Sequence, residues 1–561
     1  MQGDSSCEYV GYWGYLRFTR LSGTRIIIFP RGLKIQIMKH SERQSRFFKV
    51  MLLLPVVLLV GCVASRLPQR ESPPMQSRAL PAVDNGFLDE YGDRLDAMIA
   101  EGESAYWLLD RGDLAFNARL ALTDLAVSTL DIQYFIWESD EAGSLLAQRV
   151  IRAADRGVRV RLLLDDILLT NRDRDIAGLD HHPNIEVRVF NPWRWRNAST
   201  LTKAFEFLVR VDQLNHRMHN KAYVADNRFA IIGGRNIGNR YFGLNQEFVQ
   251  HDLDIMMSGP LVTDVSTSFD DYWNSESVYT GDYFTNGHDS KELYDDFTLH
   301  INGVVEAQSE LLQSFLVGSD VRLPIFRSPT ISRWQSQFEI FLENVESGTG
   351  ELYYDSPQIY NTRPIQLRQS LDKLIFGAQQ EVLISSPYFL PDQAFCDEIR
   401  WLTSQGVRVA VVTNSLASNN NPVAHTGYKW WRRPLIEAGA ELYELRMDAE
   451  LADQYRTTPI VPNRLGLHSK AIVVDRRHVY IGSANLDRRS LGVNTELGII
   501  AEGEGIANRL SNLISRDMRP ENSWKLTLNE NDALVWTNSE GVARFQPAKG
   551  LVQRGTEAIL D

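Results

Sequence analysis

Residues 219–226 read His-Asn-Lys-Ala-Tyr-Val-Ala-Asp, and residues 468–475 read His-Ser-Lys-Ala-Ile-Val-Val-Asp. The offset between them is 468 − 219 = 249. The same offset carries Gly157 to Gly406, Gly233 to Gly482, Asn236 to Asn485, Asn245 to Asn494 and Glu247 to Glu496. A shared offset through so many glycine and polar positions marks an internal duplication. Each copy opens with an apolar strand, Leu130–Ile136 or Val382–Ser386. A helical stretch follows and closes on a glycine suited to a helix C′ position, Gly157 or Gly406. The short apolar runs Val158–Leu164 and Val407–Val412 come next and read as buried parallel strands. This alternation predicts an α/β fold of two duplicated domains, with mixed, mainly parallel sheets flanked by helices.

The repeated segment also carries chemistry. Side chains in a strand alternate faces, so His219 and Lys221 point the same way, as do His468 and Lys470. A glycine-rich turn then returns an asparagine: Gly233-Gly234-Arg235-Asn236, and Gly482-Ser483-Ala484-Asn485. Two such half-sites around a pseudo-twofold axis suit a phosphodiester. One histidine attacks phosphorus and the other protonates the departing alcohol. Lys221, Lys470, Asn236 and Asn485, with Gly234 and Ser483 of the turns, are the expected phosphate-binding set. The lysines supply the positive charge, so the reading requires no metal or other cofactor. Glu247 and Glu496 each follow their histidine by 28 residues (247 − 219; 496 − 468). They are the expected carboxylate partners of His219 and His468 respectively, fixing tautomer and orientation. Asp226 and Asp475 lie an odd five residues beyond each lysine, face away from it, and are read as structural.

A lone His-x-Lys is a common accident, and His216 and His251 read as ordinary surface or core residues. A metal set of His216, His219, Asp252 and Asp254 has no counterpart in the second copy.

The motifs HNKAYVAD…GGRN and HSKAIVVD…GSAN resemble the paired HKD motifs of the phospholipase D superfamily. Residues 214–242, 413–417 and 440–445 further resemble bacterial cardiolipin synthases of the C type. The resemblance implies one active site shared by the two domains, with His219 as nucleophile and His468 as general acid, then base. It implies transphosphatidylation through a phosphatidyl-histidine, with phosphatidylethanolamine as donor and phosphatidylglycerol as acceptor. The rival expectations are a hydrolytic phospholipase D or other phosphodiesterase, and a lipid-binding envelope lipoprotein without activity. Two intact motifs argue against the last.

The N-terminal region reads separately. Lys39, Arg43, Arg46 and Lys49 precede the apolar run Met51–Val60, which is too short to span a bilayer comfortably. Leu59-Val60-Gly61-Cys62 resembles the lipobox of bacterial lipoproteins, which implies cleavage before Cys62 and its lipidation. Residues 1–37 are then a leader, 38–61 a signal peptide and 62–82 a tether. Residues 83–285 and 350–525 are the two domains, 286–349 a helical connector and 526–561 an extension. The expected location is the bacterial cell envelope, lipid-anchored and facing the periplasm.

Without residues 1–61 the chain has 59 − 9 = 50 basic and 68 (71 − 3) acidic residues, a net charge of −18. That balance opposes nucleic acid as a partner. Phospholipid and a membrane surface are the expected partners. Asn191–Lys221, with Trp193 and Trp195 among arginines, and Lys429–Arg433 are the candidate headgroup contacts.

Overall fold

The computed structural model describes residues 8–11, 14–21, 24–28, 34–35 and 73–548, apart from 85, 197, 316–330, 359–365 and 457–459. The chain forms two compact units. The smaller combines residues 1–66 with 194–215. It contains four short antiparallel strands between Glu8 and Ile35, within the stretch read as a leader, and the helices Thr200–Val209 and Val211–Leu214. The signal-like segment 38–61 and Cys62 lie outside the described residues. Among the described residues no helix is long and apolar enough to cross a membrane.

The larger unit holds both copies of the repeat. In the first, strand Thr129–Tyr134 pairs in parallel with Arg159–Asp165, which pairs in parallel with Ile185–Phe190. In the second, Glu381–Ser385, Arg408–Asn414 and Glu441–Leu445 do the same. The intervening helices Glu141–Asp155 and Gln393–Ser404 start on aspartate caps, Asp140 and Asp392, which accept the N–H groups of Gly143 and Phe395. Past their ends Gly157 and Gly406 take φ of +98° and +86°, a conformation that favours glycine. The sheets are mixed, but within the large sheets the parallel pairing expected to dominate is confined to these three-strand blocks. The joins beyond them, through Ala222–Ala225, Phe229–Gly233 and Asp254–Ser258 in one half and Ala471–Val474, His478–Gly482 and Leu497–Glu502 in the other, are antiparallel.

Strand alternation sorts the core. Ala222, Val224, Ala230 and Ile232 face a core that also takes in Ala471, Val473, Val479 and Ile481 from the second half. Their neighbours Tyr223, Ala225, Phe229 and Ile231 enter the outer core under the helices of the first half. Ile472, Val474 and Tyr480 enter that of the second. The two halves therefore share a buried centre, and removing either would expose it to water.

Two expected boundaries move. The segment 286–349, read as a helical connector, holds the helices Ser290–Phe315 and Ile331–Glu343 and packs on the first half. Ile301, Val305, Trp334, Phe338 and Phe341 sit in the outer core of the first half. Strand Glu346–Tyr354 then joins the two sheets: residues 346–348 pair with Ser104–Tyr106, and residues 349–354 with Leu497–Glu502. The C-terminal limit also shifts. Strand Ser523–Leu528 pairs with Glu441–Leu445 and is followed by Leu534–Asn538 and Gly541–Ala543, so the second sheet continues past residue 526. The strands at these two boundaries carry weak sequence signals because they complete sheets begun elsewhere.

Candidate active site

His219 and His468 lie just before the antiparallel strands Ala222–Ala225 and Ala471–Val474, and each is held from three directions. The preceding residue is latched by the end of a parallel strand. Asp165 accepts the Met218 N–H at 2.9 Å, and Asn414 Oδ1 accepts the Leu467 N–H at 2.8 Å. Both latches obey the 249-residue offset (414 − 165; 467 − 218). The histidine backbone is held by the opposite half. His219 N donates to Thr495 O at 2.9 Å, and His468 N donates to His251 O at 2.6 Å. The residue after each of these acceptors is a carboxylate. Consequently His219 Nδ1 meets Glu496 Oε2 at 2.7 Å, and His468 Nδ1 meets Asp252 Oδ2.

This corrects the carboxylate assignment. Glu496 orients His219, not His468. Glu247 is exposed, and its backbone N–H turns back to Asn245 Oδ1 at 2.9 Å. Asp252 takes the place expected for Glu247. The constant offset fails locally: Asn245 to Asp252 spans seven residues, whereas Asn494 to Glu496 spans two. The five extra residues include most of strand Val249–His251, which pairs in parallel with Leu465–Leu467 beside His468. The sequence signal for Asp252 was an acid followed by a strand, Asp252-Leu253-Asp254-Ile255 against Glu496-Leu497-Gly498-Ile499.

The turn residues serve these carboxylates. A Cβ on Gly234 would stand 2.1 Å from Asp252 Oδ1, so glycine leaves room for that side chain. Ser483 Oγ donates to Glu496 Oε2 at 2.5 Å. Both backbone N–H groups are used in the sheet, Gly234 to Leu253 O at 3.0 Å and Ser483 to Leu497 O at 2.8 Å. Their expected role as phosphate ligands is thereby replaced by holding the carboxylates. Asn236 accepts the Ile136 N–H and donates to the Tyr241 hydroxyl, both at 3.1 Å, and the Tyr241 ring stands edge-on to His468 with centroids 5.5 Å apart. Asn485 donates to Ser490 at 3.3 Å, while its buried Oδ1 has no hydrogen-bond partner among the described residues. Phe135 packs edge-on against His219 at 4.8 Å. Tyr241 and Phe135 carried no motif that sequence reasoning could single out.

Asp226 and Asp475 face away from the site. Asp226 accepts the N–H groups of Val127, Ser128 and Thr129, and Asp475 those of Gln379, Gln380 and Glu381. The four residues of the metal alternative do not converge. Asp254 pairs with Arg119 at 2.8 Å, His216 Nδ1 contacts Val493 O, and His219 and Asp252 are engaged as above.

The site is buried, with His219 8 % and His468 7 % exposed. Lys221 Nζ donates to His219 O at 2.5 Å, and Lys470 Nζ lies 2.9 Å from His468 Nδ1. Burial, then the two lysines, hold His219 well below the ordinary histidine value. Burial and Lys470 bring His468 down to about 4, against the pull of Asp252. Burial lowers Lys221 to about 7 and Lys470 to about 8. The carboxylates diverge. Burial raises Glu496 to about 7 despite Lys221 and Ser483. Burial also opposes ionisation of Asp252, but Lys470, His468 and Arg235 outweigh it and hold that carboxyl below its usual range. The anionic oxygens of a phosphodiester at this site would raise the lysines and the histidines together.

Two paired imidazole–carboxylate units, each completed across the duplication and flanked by a lysine, define a phospholipase D-type site. Residues 120–273 and 371–518 match the family described as "Cardiolipin synthase, PLD-like domain". The chain belongs to that family, within the phospholipase D superfamily. It is 32 % identical to cardiolipin synthase C of Escherichia coli K12, over 81 % of this chain and 93 % of that protein. It is 24 % identical to a cardiolipin synthase of Oceanobacillus iheyensis, over 77 % of this chain and 73 % of that one. Its fold is similar to a phosphatidylserine synthase structure from Haemophilus influenzae Rd KW20, with a TM-score of 0.50, 16 % identity, and coverage of 76 % of this chain and 91 % of that one.

Two candidate headgroup clusters are less basic at the surface than they read. Arg196, Arg217 and Lys221 are buried. Arg432 is buried on Glu444, and Arg433 pairs with Asp532, although Trp430 between them and Lys429 is 68 % exposed.

Proposed function

We propose that the protein is a phosphatidyltransferase that makes cardiolipin, with phosphatidylglycerol as acceptor and phosphatidylethanolamine as donor. Family membership and the phospholipase D-like fold support a phospholipid phosphatidyltransferase. The observation that carries the reading further is the asymmetry of the carboxylates. Asp252 is the more firmly ionised, so it best stabilises an imidazolium at His468, the general acid. His219, whose Nδ1 faces Glu496, presents Nε2 as the attacking atom and is the nucleophile.

The reaction then runs in two displacements. His219 Nε2 attacks phosphorus, the bond from phosphorus to the ethanolamine oxygen breaks, and His468 delivers the proton to that oxygen. The product is phosphatidyl-His219 and ethanolamine. His468, now neutral, removes the proton from the terminal hydroxyl of phosphatidylglycerol. That oxygen attacks phosphorus, the P–N bond breaks, and cardiolipin leaves. Lys221 and Lys470 neutralise the phosphate oxygens throughout. Histidines exposed by less than a tenth favour a lipid alcohol over water as resolving nucleophile, since transfer depends on limiting solvent at the intermediate.

Purified protein in vesicles of phosphatidylethanolamine and phosphatidylglycerol should yield cardiolipin and free ethanolamine, with phosphatidic acid minor. Dominance of phosphatidic acid at every acceptor concentration would make the enzyme a hydrolase. The lipobox-like sequence supports lipidation at Cys62 and a periplasm-facing envelope location. Cys62→Ser should then abolish diacylglyceryl labelling, and a labelled variant would refute the anchor.

A further inference from the structure

Helix Thr200–Val209 of the smaller unit turns large apolar side chains to solvent. Leu201, Phe205, Leu208 and Val209 are 70, 43, 68 and 67 % exposed. Positions i, i+4, i+7 and i+8 form one stripe, the pattern a helix ordinarily buries. The helix's one carboxylate faces the other way. Glu206 is 3 % exposed, accepts the backbone N–H groups of Arg194 at 2.7 Å and Trp195 at 3.0 Å, and pairs with Arg210. These bonds draw the preceding loop over the helix and lay the Trp195 indole parallel to the Phe205 ring, with centroids 5.9 Å apart and planes 8° apart. Of the charges nearby, Arg194 in that loop is half-buried, Lys203 lies two residues from Leu201 and so on the far side of the helix, and Asp212 just past the helix is exposed.

We infer that this helix docks the enzyme on a phospholipid bilayer. It lies in the interface plane with Leu201, Phe205, Leu208 and Val209 among the acyl chains. Trp195 and Arg194 sit at headgroup level. The choice of a lipid surface as occupant rests on the proposed lipid reaction and on the half-buried Trp195 indole stacked on Phe205 at the edge of the stripe, an aromatic suited to the headgroup layer. A second copy of the chain fits less well. A ten-residue helix is about 15 Å long, and one face of it offers far less than the roughly 800 Å² per partner of a stable interface. Val209 precedes the nucleophile by only 219 − 209 = 10 residues. Docking therefore engages the chain just before the residue that must meet the lipid phosphate.

The test uses the full chain carrying Cys62→Ser, so that no lipid tether contributes. Flotation with vesicles of phosphatidylcholine and phosphatidylglycerol should show partitioning. The Leu201→Ser/Leu208→Ser variant should partition at least about tenfold less, as expected when two leucines no longer bury their methylenes. Turnover of water-soluble bis(p-nitrophenyl) phosphate should be unchanged, reporting an intact site. Equal flotation of parent and variant would overturn the proposal. A Leu208→Cys variant, with Cys7→Ser, bearing an environment-sensitive dye should shift to the blue on adding vesicles. No shift would overturn it, and so would a shift that grows with protein concentration in the absence of vesicles, which would assign the face to self-association. If the parent turns over no phosphodiester, the reaction reading fails, while flotation and dye still decide the docking.

Discussion

Asp252 and Glu496 each act on the histidine of the opposite half, and this exchange has consequences residue by residue. A carboxylate on imidazole Nδ1 fixes the tautomer and stabilises the cation. Asp252→Asn and Glu496→Gln should each lower kcat by about two to four orders of magnitude, by analogy with loss of the orienting acid in other histidine-centred sites. Glu247→Gln, altering an exposed side chain, should leave kcat within about twofold, in line with the small effects of surface substitutions. Steady-state rates on the same vesicles decide the point, and a crippled Glu247→Gln enzyme would restore the same-half pairing.

The lysines set the pH response. Lys221 is lowered to about 7 and Lys470 to about 8 by burial, and the cationic forms bind phosphate. As pH rises through that window the free enzyme loses positive charge, so kcat/KM should fall on the alkaline side between 7 and 8. Lys221→Arg keeps its charge at higher pH. Whatever the altered geometry does to the absolute rate, the alkaline limb should move upward by about one unit. An unmoved limb in that variant would take Lys221 out of the titration.

At the scale of the element, each motif divides its labour along one strand. The histidine and lysine serve the site, and the aspartate at the strand's far end ties down another strand. Asp226 receives three consecutive N–H groups, from Val127 to Thr129, at the entry to strand Thr129–Tyr134. Asp226→Ala would leave those buried or half-buried donors without their acceptor. It should destabilise the fold by about 2–4 kcal/mol, given the cost of unsatisfied groups. The folded fraction should keep a near-normal turnover. Denaturant unfolding and active-site titration separate the two effects, and a stable but inactive variant would move Asp226 into the chemistry.

The same elements show what the sequence could convey. The His-x-Lys strands, the glycine-terminated helices and the parallel blocks were legible because each is fixed by local spacing. The partner of each histidine was not, for two reasons. The pairing crosses between halves, which no spacing within a repeat encodes. The five residues inserted between Asn245 and Asp252 also break the constant offset just before the functional acid. Gly234 and Ser483 were placed at the right turn but given the wrong neighbour, since a turn's position does not reveal which side chain will fill the space beside it. Strand Glu346–Tyr354 was hidden by its sequence, Glu-Ser-Gly-Thr-Gly-Glu-Leu-Tyr-Tyr, whose first half lacks apolar alternation and pairs through backbone alone with Ser104–Tyr106.

At the scale of the larger unit, duplication yields one working centre. The shared core between Ala222 and Ile481, the strand that joins both sheets, and the crossed carboxylates all make each half incomplete by itself. The pseudo-twofold arrangement gives two similar histidines, yet the reaction requires them to differ. Asp252 held ionised and Glu496 raised to about 7 supply that difference. On the proposed mechanism, phosphatidyl transfer passes through one covalent bond, to His219. The direct measurement is mass spectrometry of the enzyme quenched in alkali during turnover of phosphatidylethanolamine without phosphatidylglycerol, followed by digestion. A phosphatidyl group should appear on the peptide containing His219 and be discharged to cardiolipin when phosphatidylglycerol is added before the quench. A phosphatidyl group on His468, or cardiolipin formation with neither histidine modified at any time during turnover, would contradict it.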